Sequence, residues 1–312
     1  MTHAPDITAK SWVMVVLLGL IWGGAFLTIE LALPGITPFW LAAARISIGT
    51  VLTVAAWLGA GVWRGQGARL FARPAGVADW VNIGFIAVLS SAAPFMLLSW
   101  GQQYVTSGFA GVSMASAALI VLPLAHFLIP GERITWRRGA GFVIGFAGVV
   151  LLIGDQVFAS SGASLEFPGR LACLVAAGCY AVSSIQVRRL PAVDPLGLSA
   201  VLLAIGAVCV IPVAWAVEGP PPSIDTRTAM AVGFLGLVPT AAAGLLRVVL
   251  ARTAGPVFLS LVNYQVPIWS VLLGALVLSE ALPPSLIWAM ALILLGVGLS
   301  QYGALKRLFV KG

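Results

Sequence analysis

The chain has 312 residues, 60% hydrophobic and 9% charged, with a mean hydropathy of +1.05 and a net charge of +7. That composition excludes a soluble enzyme with a polar surface and points to lipid as the solvent. The basic balance fits loops facing anionic headgroups; no helix-turn-helix, aromatic RNA platform or long basic run speaks for nucleic acid.

A bilayer core takes roughly 20 apolar residues per helix. Breaking the chain at Pro, Gly and charge clusters gives ten expected spans, near residues 12–31, 38–60, 80–102, 108–130, 136–154, 169–188, 195–217, 229–250, 256–279 and 285–305. The expected fold class is an all-α integral membrane protein with ten transmembrane helices. Lys10 precedes span one, but the apolar stretch is too long for a signal-peptide core and lacks a small-x-small cleavage site. It is expected to remain as an uncleaved helix.

Polar groups inside a membrane are costly, so they face a cavity, pair, or bond to backbone. In chain order, Trp22 offers an aromatic face in span one, and Glu30 ends that span. Arg45 lies in span two on the same expected side, which favours a structural or gating Glu30–Arg45 pair over substrate contact. Ser90, Ser91 and Pro94 interrupt span three, with Trp100 near its end, and Pro239-Thr240 interrupts the counterpart span eight. Interruptions at matched positions in two halves mark transporter sites. His126, the one histidine inside a span, is expected to tune transport rather than drive it.

Gly139, Gly141, Gly145 and Gly148 point to close helix contact within the chain rather than dimerisation, so a monomer is expected. Cys173, Cys179 and Cys209 lie in spans as packing residues, without metal-ligand spacing. Tyr180 in span six adds an aromatic face. In span nine, Ser260, Asn263, Pro267, Ser270 and Gly274 share one helical face, flanked by Tyr264, Gln265 and Trp269. That face is expected to line a substrate cavity, although small-residue helix packing produces the same spacing. Trp12, Trp40, Trp57, Trp63, Trp80, Trp136 and Trp288 are assigned to the interfacial belt.

With a cytoplasmic N-terminus, fourteen of the 17 basic residues fall on the inner side, Arg170 and Arg227 on the outer, and Arg45 within a span. Both termini are then cytoplasmic. Gly84–Ala93 (GFIAVLSSAA) and Gly233–Ala242 (GFLGLVPTAA) repeat, and Glu132 and Gly148 recur as Glu280 and Gly296. An odd five spans per copy, over 12–154 and 169–305, inverts the second copy against the first. Glu132 and Glu280 then become loop anchors on opposite sides, each binding nearby backbone amides.

Ile21-Trp22-Gly23-Gly24, Arg45, Tyr104-Val-Thr-Ser-Gly108, Gly131-Glu132-Arg133, Trp136-Arg-Arg-Gly139, Thr253-Ala-Gly255 and the Pro267…Glu280 spacing resemble the drug/metabolite transporter superfamily, EamA type. The first copy departs from the pattern: Leu119 stands where Pro267 stands in the second, and a proline appears at Pro123. The resemblance implies a ten-helix exporter or metabolite carrier, with amino-acid exporters among bacterial members.

The function expected is a bacterial inner-membrane exporter of amino acids, apolar or aromatic ones favoured, or related metabolites. It would use no metal or other cofactor, its partners being a small-molecule substrate and membrane lipid. Without a mid-span carboxylate or a phosphate-binding loop, the substrate gradient would drive transport. A nucleotide-sugar or sugar-phosphate carrier would need several converging basic groups, and a cationic-drug exporter a buried carboxylate. An intramembrane lipid-modifying enzyme would need reactive groups at one depth. Single cysteines replacing Glu132 and Glu280 should react with membrane-impermeant reagents from opposite sides; reaction from one common side would overturn the inverted topology.

Overall fold

The computed structural model describes residues 8–63, 70–71, 76–129, 134–154, 165–254 and 258–309. Glu132 and the basic residues Arg64, Arg69, Arg73, Arg133 and Lys311 lie outside the described residues. The helices are α1 (Ala9–Ala32), α2 (Pro38–Trp63), α3 (Val77–Ala87), α4 (Ala93–Gly101), α5 (Ser107–Leu128), α6 (Trp136–Gly154), α7 (Glu166–Arg188), α8 (Pro195–Glu218), α9 (Thr226–Leu235), α10 (Ala243–Thr253), α11 (Val262–Leu278) and α12 (Pro284–Phe309). Among the described residues, eight helical segments are long and apolar enough to cross a membrane, and α11 is a shorter apolar helix. Among the described residues, one isolated antiparallel bridge pairs Phe71 with Val193 in the loops.

Spans three and eight are each continuous, Val77–Gly101 and Thr226–Leu250. Their interruptions are π-helical turns, Val88–Ala92 between α3 and α4 and Gly236–Ala242 between α9 and α10. The sequence expectation of a break is therefore corrected to a widened turn. Proline returns no N–H to the preceding turn, and a shift to the longer π register keeps the ladder closed. Ala93 N–H accordingly reaches back five residues to Val88 O.

Packing partners persist when the halves are exchanged. Helix α1 packs on α11 as α7 packs on α5, and α2 lies on the second π turn as α8 lies on the first. The pairs α2–α8, α5–α11 and α6–α12 join like to like.

The α6–α12 seam explains the span-five glycines. A Cβ on Gly148 would stand 2.9 Å from Ala289 O, and one on Gly296 would strike the Gly141 carbonyl and the Gly145 backbone. Gly145 faces Leu119 of α5 instead. In lipid, where apolar surface drives no association between helices, such close backbone approach supplies the attraction.

Trp12, Trp63, Trp80, Trp136 and Trp288 are exposed, as an interfacial belt requires. Trp40 and Trp57 are half-buried instead: Trp40 Nε1 donates to Gly219 O at 3.0 Å, and Trp57 lies against Gly197.

Alanine in place of glycine inside a helix normally stabilises by about 0.5–1 kcal/mol. Gly178, with open space around it, should follow that rule as Gly178→Ala. Gly296→Ala should instead cost about 1–3 kcal/mol through overpacking. Melting temperatures of the two variants in detergent, moving in opposite directions, check the seam.

Candidate functional site

The two π turns bring α1, α2, α7 and α8 together. In the second half, Thr240 Oγ1 donates to Leu235 O at 2.8 Å, and Trp22 Nε1 of α1 donates to Pro239 O at 3.1 Å. In the first, Ser91 Oγ lies 2.8 Å from Ala87 O and 3.3 Å from Leu202 O of α8. Hydroxyls and an indole thus supply donors on turns that water cannot serve. Gly49 of α2 sits against the Thr240 side chain, and Gly206 of α8 sits against Ser91; a larger residue at either would push the helix away.

One position breaks this likeness. Four residues before Gly206 stands Leu202, whose carbonyl meets Ser91; four residues before Gly49 stands Arg45. Arg45 is 5% exposed, and its Nε and Nη2 reach Thr240 Oγ1 at 3.4 and 3.3 Å. Its guanidinium carbon lies 4.0 Å from the Phe95 ring centroid, and Tyr180 is within electrostatic reach. Guanidinium carries five N–H donors. Here one hydroxyl and one ring face serve them, and no carboxylate pairs with Arg45 among the described residues. The expected Glu30–Arg45 pair does not form, because Glu30 turns toward Gln102 and Glu280 instead.

Trp22, Ser91, Pro94, Tyr180 and Thr240 therefore belong to the region of the π turns, with Ser90 half-buried beside them. Phe95 joins them although the sequence does not single it out; its place directly after Pro94, just past the repeated segment, is the available signal. Trp100 lies farther along α4, edge-on to Tyr104 with ring centroids 5.2 Å apart. His126 is exposed in the last turn of α5, its ring against Phe127, away from the π turns.

Helix α11 behaves differently from the expected cavity face. Pro267, Ser270 and Gly274 are buried; Ser270 packs on Gly111 of α5, and Gly274 packs on Ser107 and the Glu280 carboxylate. That face is a helix seam, and small residues sit there because the backbones come close. Ser260 precedes the helix and lies 3.2 Å from Gln301 Oε1, while Asn263 is exposed in its first turn. Gln265 and Trp269 face the α1 glycines Gly19 and Gly23, and Tyr264 has a buried hydroxyl without a hydrogen-bond partner among the described residues.

Two carboxylates hold helix starts across the halves. Glu280 accepts from Ser107 N–H at 2.9 Å, Ser107 Oγ at 2.7 Å and Gly108 N–H at 3.1 Å, so it anchors α5 through backbone amides as expected. Glu218 accepts from Thr37 Oγ1 at 2.6 Å, Phe39 N–H at 3.0 Å and Trp40 N–H at 3.1 Å at the start of α2. A carboxylate there complements the helix dipole. At the same rim, a hydrogen bond from Thr228 holds the exposed Asp225 carboxyl below its ordinary range. Among the described residues, no group of three or more His, Cys, Asp or Glu side chains is arranged to hold a metal.

The model of the EamA-like transporter family matches residues 10–154 and again 167–301. A WAT1-related chloroplastic protein of Arabidopsis thaliana is 30% identical over 182 residues, covering 58% of this chain and 41% of that protein. The aromatic amino acid exporter YddG of Ancylobacter novellus is 29% identical over 186 residues, 56% of this chain and 58% of the exporter. The chain thus spans less than two thirds of either relative. A crystal structure with 23% sequence identity superposes with a TM-score of 0.66, covering 95% of this chain and 98% of its own, which supports the fold alone. With both halves matched, this chain, a multi-pass membrane protein, belongs to the EamA-like transporter family.

Proposed function

We propose that the chain exports amino acids, aromatic or apolar ones favoured, across a bacterial inner membrane by alternating access. In this reading two inverted five-helix repeats, 12–154 and 169–305, enclose one site at the π turns, with both termini in the cytoplasm. Support comes from the repeated family match, from the packing that survives exchange of the halves, and from the basic bias of one set of loops.

The observation that carries the substrate class is Arg45. A charged side chain inside a bilayer is expensive and takes a partner or marks a substrate path. Arg45 has no anionic partner among the described residues, and its neighbours are Phe95, Tyr180 and the hydroxyl of Thr240. A ligand with a carboxylate and a flat apolar body complements that set: the carboxylate takes the unused N–H donors in a charge-assisted pair. The ring lies among the aromatics, and aromatic faces also attract an ammonium group, at about 0.5–2 kcal/mol each. Arg45 is thereby reassigned from gating partner to carboxylate reader. The substrate's own gradient drives transport, since Arg45 contributes charge recognition and no ion-coupling step.

In proteoliposomes loaded with phenylalanine and lacking any ion gradient, the wild-type protein should release substrate. Losing a hydrogen bond to a charged group costs about 1.5–3 kcal/mol, roughly ten- to a hundred-fold. Arg45→Met should slow phenylalanine efflux by that factor, and Arg45→Lys less. Phenethylamine, which lacks the carboxylate, should lose no such factor. Equal losses for both solutes would refute carboxylate reading, and efflux that requires an imposed proton or sodium gradient would refute the energetics.

A further inference from the structure

A second polar cluster, separate from Arg45, occupies the end of the bundle where α1, α4 and α11 stop and α5 begins. Glu280 is fully engaged there by the start of α5. Glu30 is not: its Oε2 is buried and has no hydrogen-bond partner among the described residues. The side-chain amide of Gln102 lies against Glu30. Gln102 is 2% exposed and donates Nε2 to Phe26 O at 2.9 Å, one turn before Glu30. Its Oε1 is likewise buried and without a partner.

Among the described residues neither Glu30 Oε2 nor Gln102 Oε1 receives a donor, although Gln102 hydrogen-bonds the Glu30 carboxyl. The Ser99 hydroxyl, one turn before Gln102, is also buried without a partner among them. Leaving one buried acceptor unsatisfied costs about 1–3 kcal/mol, and more if it is charged. Electrostatics adds to the cost, because the charge acting on Glu30 among the described residues is that of Glu280. The other titratable groups on elements packed against α1 point elsewhere. Asp225 and Arg227 at the start of α9 are exposed, and Asp225 is held by Thr228. Arg247 stands in the middle of α10, and Tyr264 on α11 and His126 on α5 belong to the opposite ends of their helices; at the start of α7, which packs on α4 and α5, Arg170 pairs with Glu166 at 2.6 Å.

We propose that Glu30 is a proton-binding site. The proton sits on Oε2 and is donated to Gln102 Oε1, completing both buried acceptors with one bond. It is taken from the medium at this end and returned there, and no other reactant takes part. Bound, it keeps α1, α4 and α5 packed beside the Glu280 anchor. Released, it leaves two carboxylates facing one another with Gln102 Oε1 bare, and the end loosens. Because the proton belongs to this packed form, its stabilisation is complete in acid and is lost as pH rises through the Glu30 titration. On the topology proposed above this is the outer end, so external acid would hold that gate shut whatever the substrate.

Infrared spectroscopy of the full-length protein in lipid nanodiscs tests the site without any transport measurement. In acid buffer, the wild type should show the carbonyl stretch of a protonated carboxylic acid, shifted in heavy water and lost in alkali. Glu30→Gln should abolish this band, Glu280→Gln should leave it, and Gln102→Leu should move it toward the position of a free acid. Absence of the band from the wild type, or its survival in Glu30→Gln, overturns the proposal. The wild-type titration stands even if a variant fails to fold. The melting temperature of the wild type should also fall from acid to alkaline buffer while that of Glu30→Gln stays level; parallel curves would refute the link to packing.

Discussion

A proline within a membrane helix takes one N–H out of a ladder that water cannot repair, and the core of this protein grows from that shortage. Pro94 and Pro239 sit beside or inside π turns, and the donors on those turns come from side chains. Thr240 serves Leu235, Ser91 serves Ala87, and Trp22 crosses from α1 to reach Pro239. The last of these is tertiary: satisfying that carbonyl fixes where α1 must lie. Close glycine contacts at Gly49 and Gly206 then bring α2 and α8 against the same turns. Local backbone chemistry and helix placement are one problem here.

On this nearly balanced frame one charged side chain creates the difference in charge. Equivalent positions hold Arg45 and Leu202, so the two turns share a scaffold and differ in charge. A symmetric frame is economical to encode, but a substrate with one charged end and one apolar end must be read by an unsymmetric site. The guanidinium lies on Phe95 and touches Thr240 weakly, at distances that a stronger acceptor could displace.

Much of the architecture is legible in the residues because hydropathy over some twenty positions averages out local noise. Spans, the repeated segment and the helix interruptions follow from that scale and from proline chemistry. Faces are harder. The three-and-four spacing of Pro267, Ser270 and Gly274 marks one side of α11, yet small and polar residues serve a helix seam as readily as a cavity, and Gly111 decides for the seam. Glu30 and Arg45 lie toward the same end of successive helices, but α1 packs on α11 and α9 while α2 packs on α8, so the two side chains take different partners. A residue as ordinary in sequence as Gln102 becomes conspicuous only once its burial and its lone oxygen are known. Glu280 was legible for the opposite reason: a carboxylate after a helix, facing the start of another, has few alternatives to bare amides.

The glycine seam between α6 and α12 bears on how the chain comes to be assembled. Its two members are separated by residues 155–283, so α12 leaves the ribosome well after α6. Until then the small-residue groove of α6 has only lipid to fill it, so the nascent protein must remain an unfinished clasp through most of its synthesis. Closure of this seam awaits translation of α12, and a chain interrupted before that point would present an open groove to the insertion and quality-control machinery.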